Sequence, residues 1–194
     1  MFQVRIHGRG GQGVVSAAEL LAVAAFIEGR HAQAFPSFGS ERTGAPVVAF
    51  CRIDDAEIRL REPVARPDAL IIQDATLLHQ VDLFSGVPAT AYVLINSKRT
   101  LDELGIAEFV ATLDPARIRT VPATDIAMRC VGRPVPNVPL LAGFAAISGA
   151  LQLDSVCAAI REKFPPKIAE ANVAAAVEAY EGVSAALATE NAHA

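Results

Sequence analysis

Hydrophobic positions in this chain first alternate with polar ones, then recur at helical spacing, with glycine marking the change. Phe2–Ile6 alternates around β-branched residues and predicts a strand. His7–Gly13 (HGRGGQG) follows, and then the Ala-, Leu- and Val-rich stretch Val14–Glu28, a predicted helix that Gly29 ends. That helix is apolar on nearly every face, which requires burial on more than one side. Ala32–Phe35 predicts a second, short strand, and Pro36–Pro46 (PSFGSERTGAP) a loop. Pro46–Ile53 and Glu57–Leu60 read as strands joined through Asp54, Asp55 and Ala56 in a hairpin.

Asp68–Gln73 (DALIIQ) is a continuous apolar run of the kind buried on both faces of a parallel sheet. A helix over Thr76–Phe84, capped by Thr76, and a strand Tyr92–Ile95 are expected next. Thr100 and Glu103 have capping-box spacing over a short helix, Arg119–Val121 reads as another strand, and Asp125–Cys130 as another helix. The last third predicts helices over Asn137–Leu151, with Asn137 as its cap, Asp154–Lys163 and Ile168–Leu187, the latter two separated by Pro165-Pro166. The pattern therefore predicts one α/β domain over residues 1–187, with a mainly parallel sheet, a β-hairpin excursion and a helical C-terminal third. Residues 188–194 are expected to form a frayed tail.

Composition narrows the function classes. A 52% hydrophobic content is high for a soluble monomer and points to a large core or to partner-covered surface. No run approaches the ~18 apolar residues of a spanning helix. Arg5 within the first apolar stretch, with glycine close behind, reads as strand and not as a signal peptide. A net charge of -4 leaves no electrostatic footprint for nucleic acid or an anionic membrane, and a cytoplasmic location is expected. The three cysteines, Cys51, Cys130 and Cys157, are far apart, and the four histidines offer no ligand spacing. No metal is expected in this chain, and the cysteines read as small buried apolar side chains.

The main candidate chemistry is the glycine loop. Gly8, Gly10 and Gly13 fit G-x-G-x-x-G between a strand and a helix, where free N–H groups and the helix dipole favour an anion. Arg9 adds a guanidinium suited to phosphate, and Gln12 an amide. A dinucleotide site also needs an acid at the end of the second strand; here that end reads Ala34-Phe35-Pro36-Ser37, with the nearest acid at Glu41. The loop can thus bind a phosphate-containing ligand, pack strand against helix, or meet another subunit. The Pro36–Pro46 loop leaves the same sheet edge and offers Ser37, Ser40, Glu41, Arg42 and Thr43 to a ligand or a partner. His7 abuts the glycine loop, and either a ligand contact or a structural role suits it; His79, without an acid or nucleophile nearby, reads as structural. No nucleophile elbow, Walker lysine or carboxylate pair is recognisable.

Three segments carry a resemblance. HGRGGQGVVSAAELLAVAA, PSFGSERTGAPVVAFCRID and GRPVPNVPLLAGFAAISG, in this order, closely resemble the gamma subunit of 2-oxoacid:ferredoxin oxidoreductases from about Val4 to about Tyr180. The resemblance implies a Rossmann-like domain in a complex that oxidatively decarboxylates a 2-oxoacid with coenzyme A and passes electrons to ferredoxin or an NAD-linked subunit. It implies that thiamine diphosphate, Mg2+ and [4Fe-4S] clusters belong to alpha-, beta- and delta-type partners, and that this chain holds no catalytic residue. Coenzyme A is the implied shared ligand, with Gly8, Arg9, Gly10, Gly11, Gln12, Gly13, Ser37, Ser40, Glu41 and Arg42 as its expected contacts. Thr43 departs from the Arg or Lys frequent there, which removes one cation from the loop. A self-standing dinucleotide-binding dehydrogenase and a purely architectural subunit are the competing readings.

Overall fold

The computed structural model describes residues 1–37 and 43–192. The element order is β1 (Phe2–Arg9), α1 (Val14–Ile27), β2 (His31–Pro36), β3 (Pro46–Asp54), β4 (Ala69–Ile72), β5 (Tyr92–Asn96), α2 (Ala107–Val110), β6 (Ile118–Val121), α3 (Ala123–Cys130), α4 (Asn137–Ser148), α5 (Leu153–Lys163) and α6 (Pro166–Asn191). The six strands form one sheet in the order β2-β3-β1-β4-β5-β6. β1, β4, β5 and β6 are parallel, and β3 runs antiparallel between β1 and β2. This is the expected mixed α/β domain with a mostly parallel sheet.

The alternation in β1 sorts its side chains. Val4 and Ile6 face the helices in one large core with Val14, Leu20, Leu21, Phe144 and Ile160. Arg5 and His7 point to the opposite face, where Leu70, Ile72, Val93 and Ile95 meet short turns and α2 in a smaller core. α1 is apolar all round because it lies on β2 and β3 and is itself covered by α5. α4 is buried along nearly its whole length between β5 and α6.

Four expectations are corrected. The hairpin about Asp54 does not form: Glu57–Leu60 is irregular, and β3 pairs with β2 and β1 instead. Residues 57–62 (EIRLRE) lack the apolar content to hold a strand, and Arg52 binds their backbone at the Leu60 and Glu62 carbonyls. The helix expected over Thr76–Phe84 is a 3-10 turn, Ala75–His79, and Asp74 rather than Thr76 caps it. The Thr100–Glu103 box is made, with Thr100 N donating to Glu103 Oε2 (2.8 Å) and Glu103 N to Thr100 Oγ1 (3.3 Å), yet it closes turns and not a helix. α6 continues past Leu187 to Asn191, so the stretch expected to fray begins inside a helix.

Candidate functional site

Because β1 and β4 are parallel neighbours, their C-terminal ends bring the glycine loop beside Gln73 and Asp74. β2 points the same way, so the loop after it leaves the same edge; Gly10 N donates to Ala45 O (2.9 Å) and Gly44 N to Gly10 O (3.1 Å). The expected meeting of the two loops is present, through a bridge between Gly10 and Thr43. Ser37 is exposed just after β2, its N–H still donating to Val48 O (2.8 Å). Ser40, Glu41 and Arg42 lie outside the described residues.

The glycines have different physical reasons. A Cβ at Gly8 would come within 2.7 Å of Val14 Cγ2 and 3.1 Å of Gln73 Cβ, so this position needs glycine for close strand–helix approach. Gly13, at φ 74°, begins α1, and its missing Cβ leaves room for Asn137 Nδ2, which would lie 2.6 Å from it. Gly11, at φ 94°, meets nothing among the described residues, and the turn itself requires it. Among the described residues no side chain caps α1, and its first turn holds no acid. Its first N–H groups are therefore without a partner among the described residues and lie at the sheet edge.

Arg9 does not stand free as a phosphate fork. Its Nε lies 3.2 Å from Asp74 Oδ2, its Nη1 donates to Gly44 O (3.0 Å), and its Nη2 donates to Thr76 Oγ1 and Gln80 Oε1 (both 2.7 Å). Gln12 is equally committed: Oε1 accepts from Arg9 N (2.8 Å) and Nε2 donates to Asp74 Oδ2 (2.8 Å). Asp74 also accepts from Thr76 N (2.9 Å) and Thr76 Oγ1 (2.5 Å) through Oδ1. Burial would raise the Asp74 carboxyl, but hydrogen bonds from Thr76 and Gln12 and the charge of Arg9 carry it below the ordinary carboxylate range. Asp74, Thr76 and Gln80 are not among the expected site residues; the sequence places Thr76 only as a helix cap. The usable signal was topological, since a residue following β4 must sit beside the loop following β1.

Other polar residues divide between faces. Asn137 is not the cap of α4; it is the first helical residue, and its Nδ2 donates toward Gly13 O (3.5 Å). Gln73 is fully buried beneath Gly8, and neither amide atom has a hydrogen-bond partner among the described residues. His7 is buried on the opposite face beside Arg5; burial first, and the Arg5 charge second, push its pKa down to about 4. His79 is tied to the Leu104 carbonyl (3.2 Å) and takes no part in the edge. Cys51 and Cys157 are buried, and burial pushes Cys51 up to about 12. Three cysteines are too few for the about four thiolates of an iron–sulfur cluster, and among the described residues no group of His, Cys, Asp and Glu could hold a metal ion. No helix among the described residues is long and apolar enough to cross a membrane.

The arrangement can hold an anion on backbone N–H groups, but among the described residues it contains no nucleophile–base pair. Comparison with known proteins agrees with a subunit role. The sequence matches the family profile "Pyruvate ferredoxin/flavodoxin oxidoreductase" over residues 3–182. It is 46% identical to pyruvate synthase subunit PorC of Methanothermobacter marburgensis over 93% of this chain and 97% of that one. It is 42% identical to the pyruvate/ketoisovalerate oxidoreductases common subunit gamma of Thermococcus litoralis over 93% of this chain and 96% of that one. Among solved structures, pyruvate oxidoreductase subunit PORC of Thermotoga maritima aligns with a TM-score of 0.80 at 34% identity, covering 93% of this chain and 95% of that one. A 2-oxoglutarate:ferredoxin oxidoreductase from Magnetococcus marinus, solved with 2-oxoglutarate, coenzyme A and succinyl-CoA bound, contains the same fold (TM-score 0.70, 15% identity, 95% of this chain and 31% of that one). The chain therefore belongs to the pyruvate ferredoxin/flavodoxin oxidoreductase family, as a gamma-type subunit of a 2-oxoacid:ferredoxin oxidoreductase.

Proposed function

We propose that this gamma subunit contributes part of the coenzyme A site of its complex, while the decarboxylation and electron-transfer centres lie in other chains. The observation that carries the reading is the uncapped start of α1, set at the carboxyl edge of the sheet beside an exposed Gly11. Backbone N–H groups there suit the phosphates of coenzyme A, and Ser37 stands at the same edge; Ser40, Glu41 and Arg42, which follow it in the sequence, are further proposed contacts. Arg9 and Gln12 serve this site by holding the loop, since their polar atoms are already occupied. The coenzyme A in the Magnetococcus structure supports the ligand class, because a domain of this fold is part of that enzyme. Thiamine diphosphate, Mg2+ and [4Fe-4S] clusters would reside in alpha-, beta- and delta-type subunits, with ferredoxin or an NAD-linked subunit receiving electrons in the cytoplasm.

A purely architectural role is the second reading, favoured by the close packing that already explains Gly8 and Gly13. Ser16→Asp in the assembled complex separates the two. An acid in the first turn suits the helix dipole by about 0.3–1 kcal/mol, yet it repels a phosphate. Coenzyme A binding predicts a roughly tenfold higher KM for coenzyme A, equal to about 1.4 kcal/mol, with the 2-oxoacid KM unchanged. An intact complex with both constants unchanged would establish the architectural reading instead.

A further inference from the structure

The glycine loop is not held by its own glycines alone. A single carboxylate, Asp74 in the turn after β4, ties it down: Oδ2 receives Gln12 Nε2 at 2.8 Å and Arg9 Nε at 3.2 Å. Gln12 in turn accepts from the Arg9 backbone N–H, closing the Arg9–Gln12 turn, whose Gln12 N–H donates to Arg9 O at 3.0 Å. The Arg9 guanidinium reaches onward to the Gly44 carbonyl, in the loop after β2. Asp74 Oδ1, meanwhile, fixes the turn after β4 through Thr76. The Asp74 side chain is 15% exposed, and both its oxygens are occupied. It is poorly placed to touch a ligand and well placed to set where three segments stand.

We infer that Asp74 is a positioning residue for coenzyme A: acting through Gln12 and Arg9, it fixes the glycine loop against the turn after β4 and against Gly44. This rests on the coenzyme A reading above. The physical point is orientation. Backbone donors on a loop bind a phosphate well only if the loop is already in place, and a misplacement of about 1 Å costs binding and rate steeply. Asparagine at 74 keeps an oxygen for the Thr76 N–H but turns an NH2 toward Gln12 and Arg9, so it cuts the strut while sparing the cap.

The test uses the assembled complex with Asp74→Asn, Gln12→Ala, the double variant and Ser16→Asp. Asp74→Asn is expected to speed amide hydrogen exchange at residues 9–13 without coenzyme A present. It should also raise the coenzyme A KM roughly tenfold, with kcat and the 2-oxoacid KM near wild type. The double variant should lose no more than the larger single loss, because both residues belong to one strut. Asp74→Glu, which keeps the charge, should recover most of the coenzyme A affinity.

Unchanged exchange at residues 9–13 in Asp74→Asn would overturn the inference, whatever coenzyme A does. Faster exchange with an unaltered coenzyme A KM, while Ser16→Asp raises that KM, would overturn it too and leave the coenzyme A reading standing. An unaltered KM in both variants would sink that reading and the inference with it.

Discussion

The two faces of the sheet are held in different ways. On the helical face, Val4, Ile6, Ala49, Cys51, Ile71 and Leu94 meet long helices, and Phe144 is fully buried at its centre. On the other face the chain crosses in turns and a four-residue helix, and β1 and β3 present Arg5, His7 and Arg52 there, all buried. Arg5 donates to the Leu83 and Ser85 carbonyls, each at 2.8 Å, and Arg52 to the Leu60 and Glu62 carbonyls. Asp74, Asp114 and the Thr100–Glu103 box cap the turns between. Apolar area holds helices because a helix satisfies its own backbone. Turns leave carbonyls and N–H groups over, so a face covered by turns needs donors from the sheet beneath.

The contrast can be broken most forcefully at Phe144. Phe144→Ala opens a hole among α4, the sheet and Phe2, and is expected to cost about 3–5 kcal/mol in denaturant unfolding of the chain. A loss below about 1 kcal/mol would mean that the helical face is not the main apolar core.

On the turn-covered face, acid should act through His7, whose pKa falls from 6.5 to about 4 on folding. Between these two values the unfolded chain takes up a proton that the folded one refuses. Stability therefore falls as pH falls through that window, and the loss, roughly 3 kcal/mol, is complete below the folded value. Thermal melts from pH 7 to 4 should show that slope in the natural chain and a flatter one in His7→Gln. Equal slopes would show that His7 does not set the acid sensitivity.

Arg5→Met should cost about 2–3 kcal/mol, since the Leu83 and Ser85 carbonyls lose a charged donor in a buried place. Hydrogen exchange should rise first across residues 82–88 and not in α4; a uniform rise would place Arg5 in the common core. Smallest is Thr100→Ala, at about 1 kcal/mol for the lost box, read from the unfolding midpoint.

The same contrast explains what the sequence made legible. The alternation of Phe2–Ile6, the apolar runs of β4 and β5, and the helical spacing after Asn137 are local signals, and each became the expected element within a few residues. Where β3 lies is not local. Pro46–Asp54 carries strand propensity, but its pairing with β1 on one side and β2 on the other depends on residues far along the chain. The turn-covered face departs furthest from its sequence pattern, which predicts helix over 76–84 and strand over 57–60, because side-chain caps and buried guanidinium groups there override propensity. At the candidate site the glycines and the two facing loops were legible. The commitment of Arg9 and Gln12 to Asp74 was not, because an arginine beside glycines looks the same in sequence whether it faces a phosphate or a carboxylate.

The proposed meeting of coenzyme A with the start of α1 is tested most directly by hydrogen–deuterium exchange of the complete complex, with and without coenzyme A. Slower exchange at amides 10–16 is expected when coenzyme A is added. Slower exchange confined to other subunits, with those amides unchanged, would contradict it.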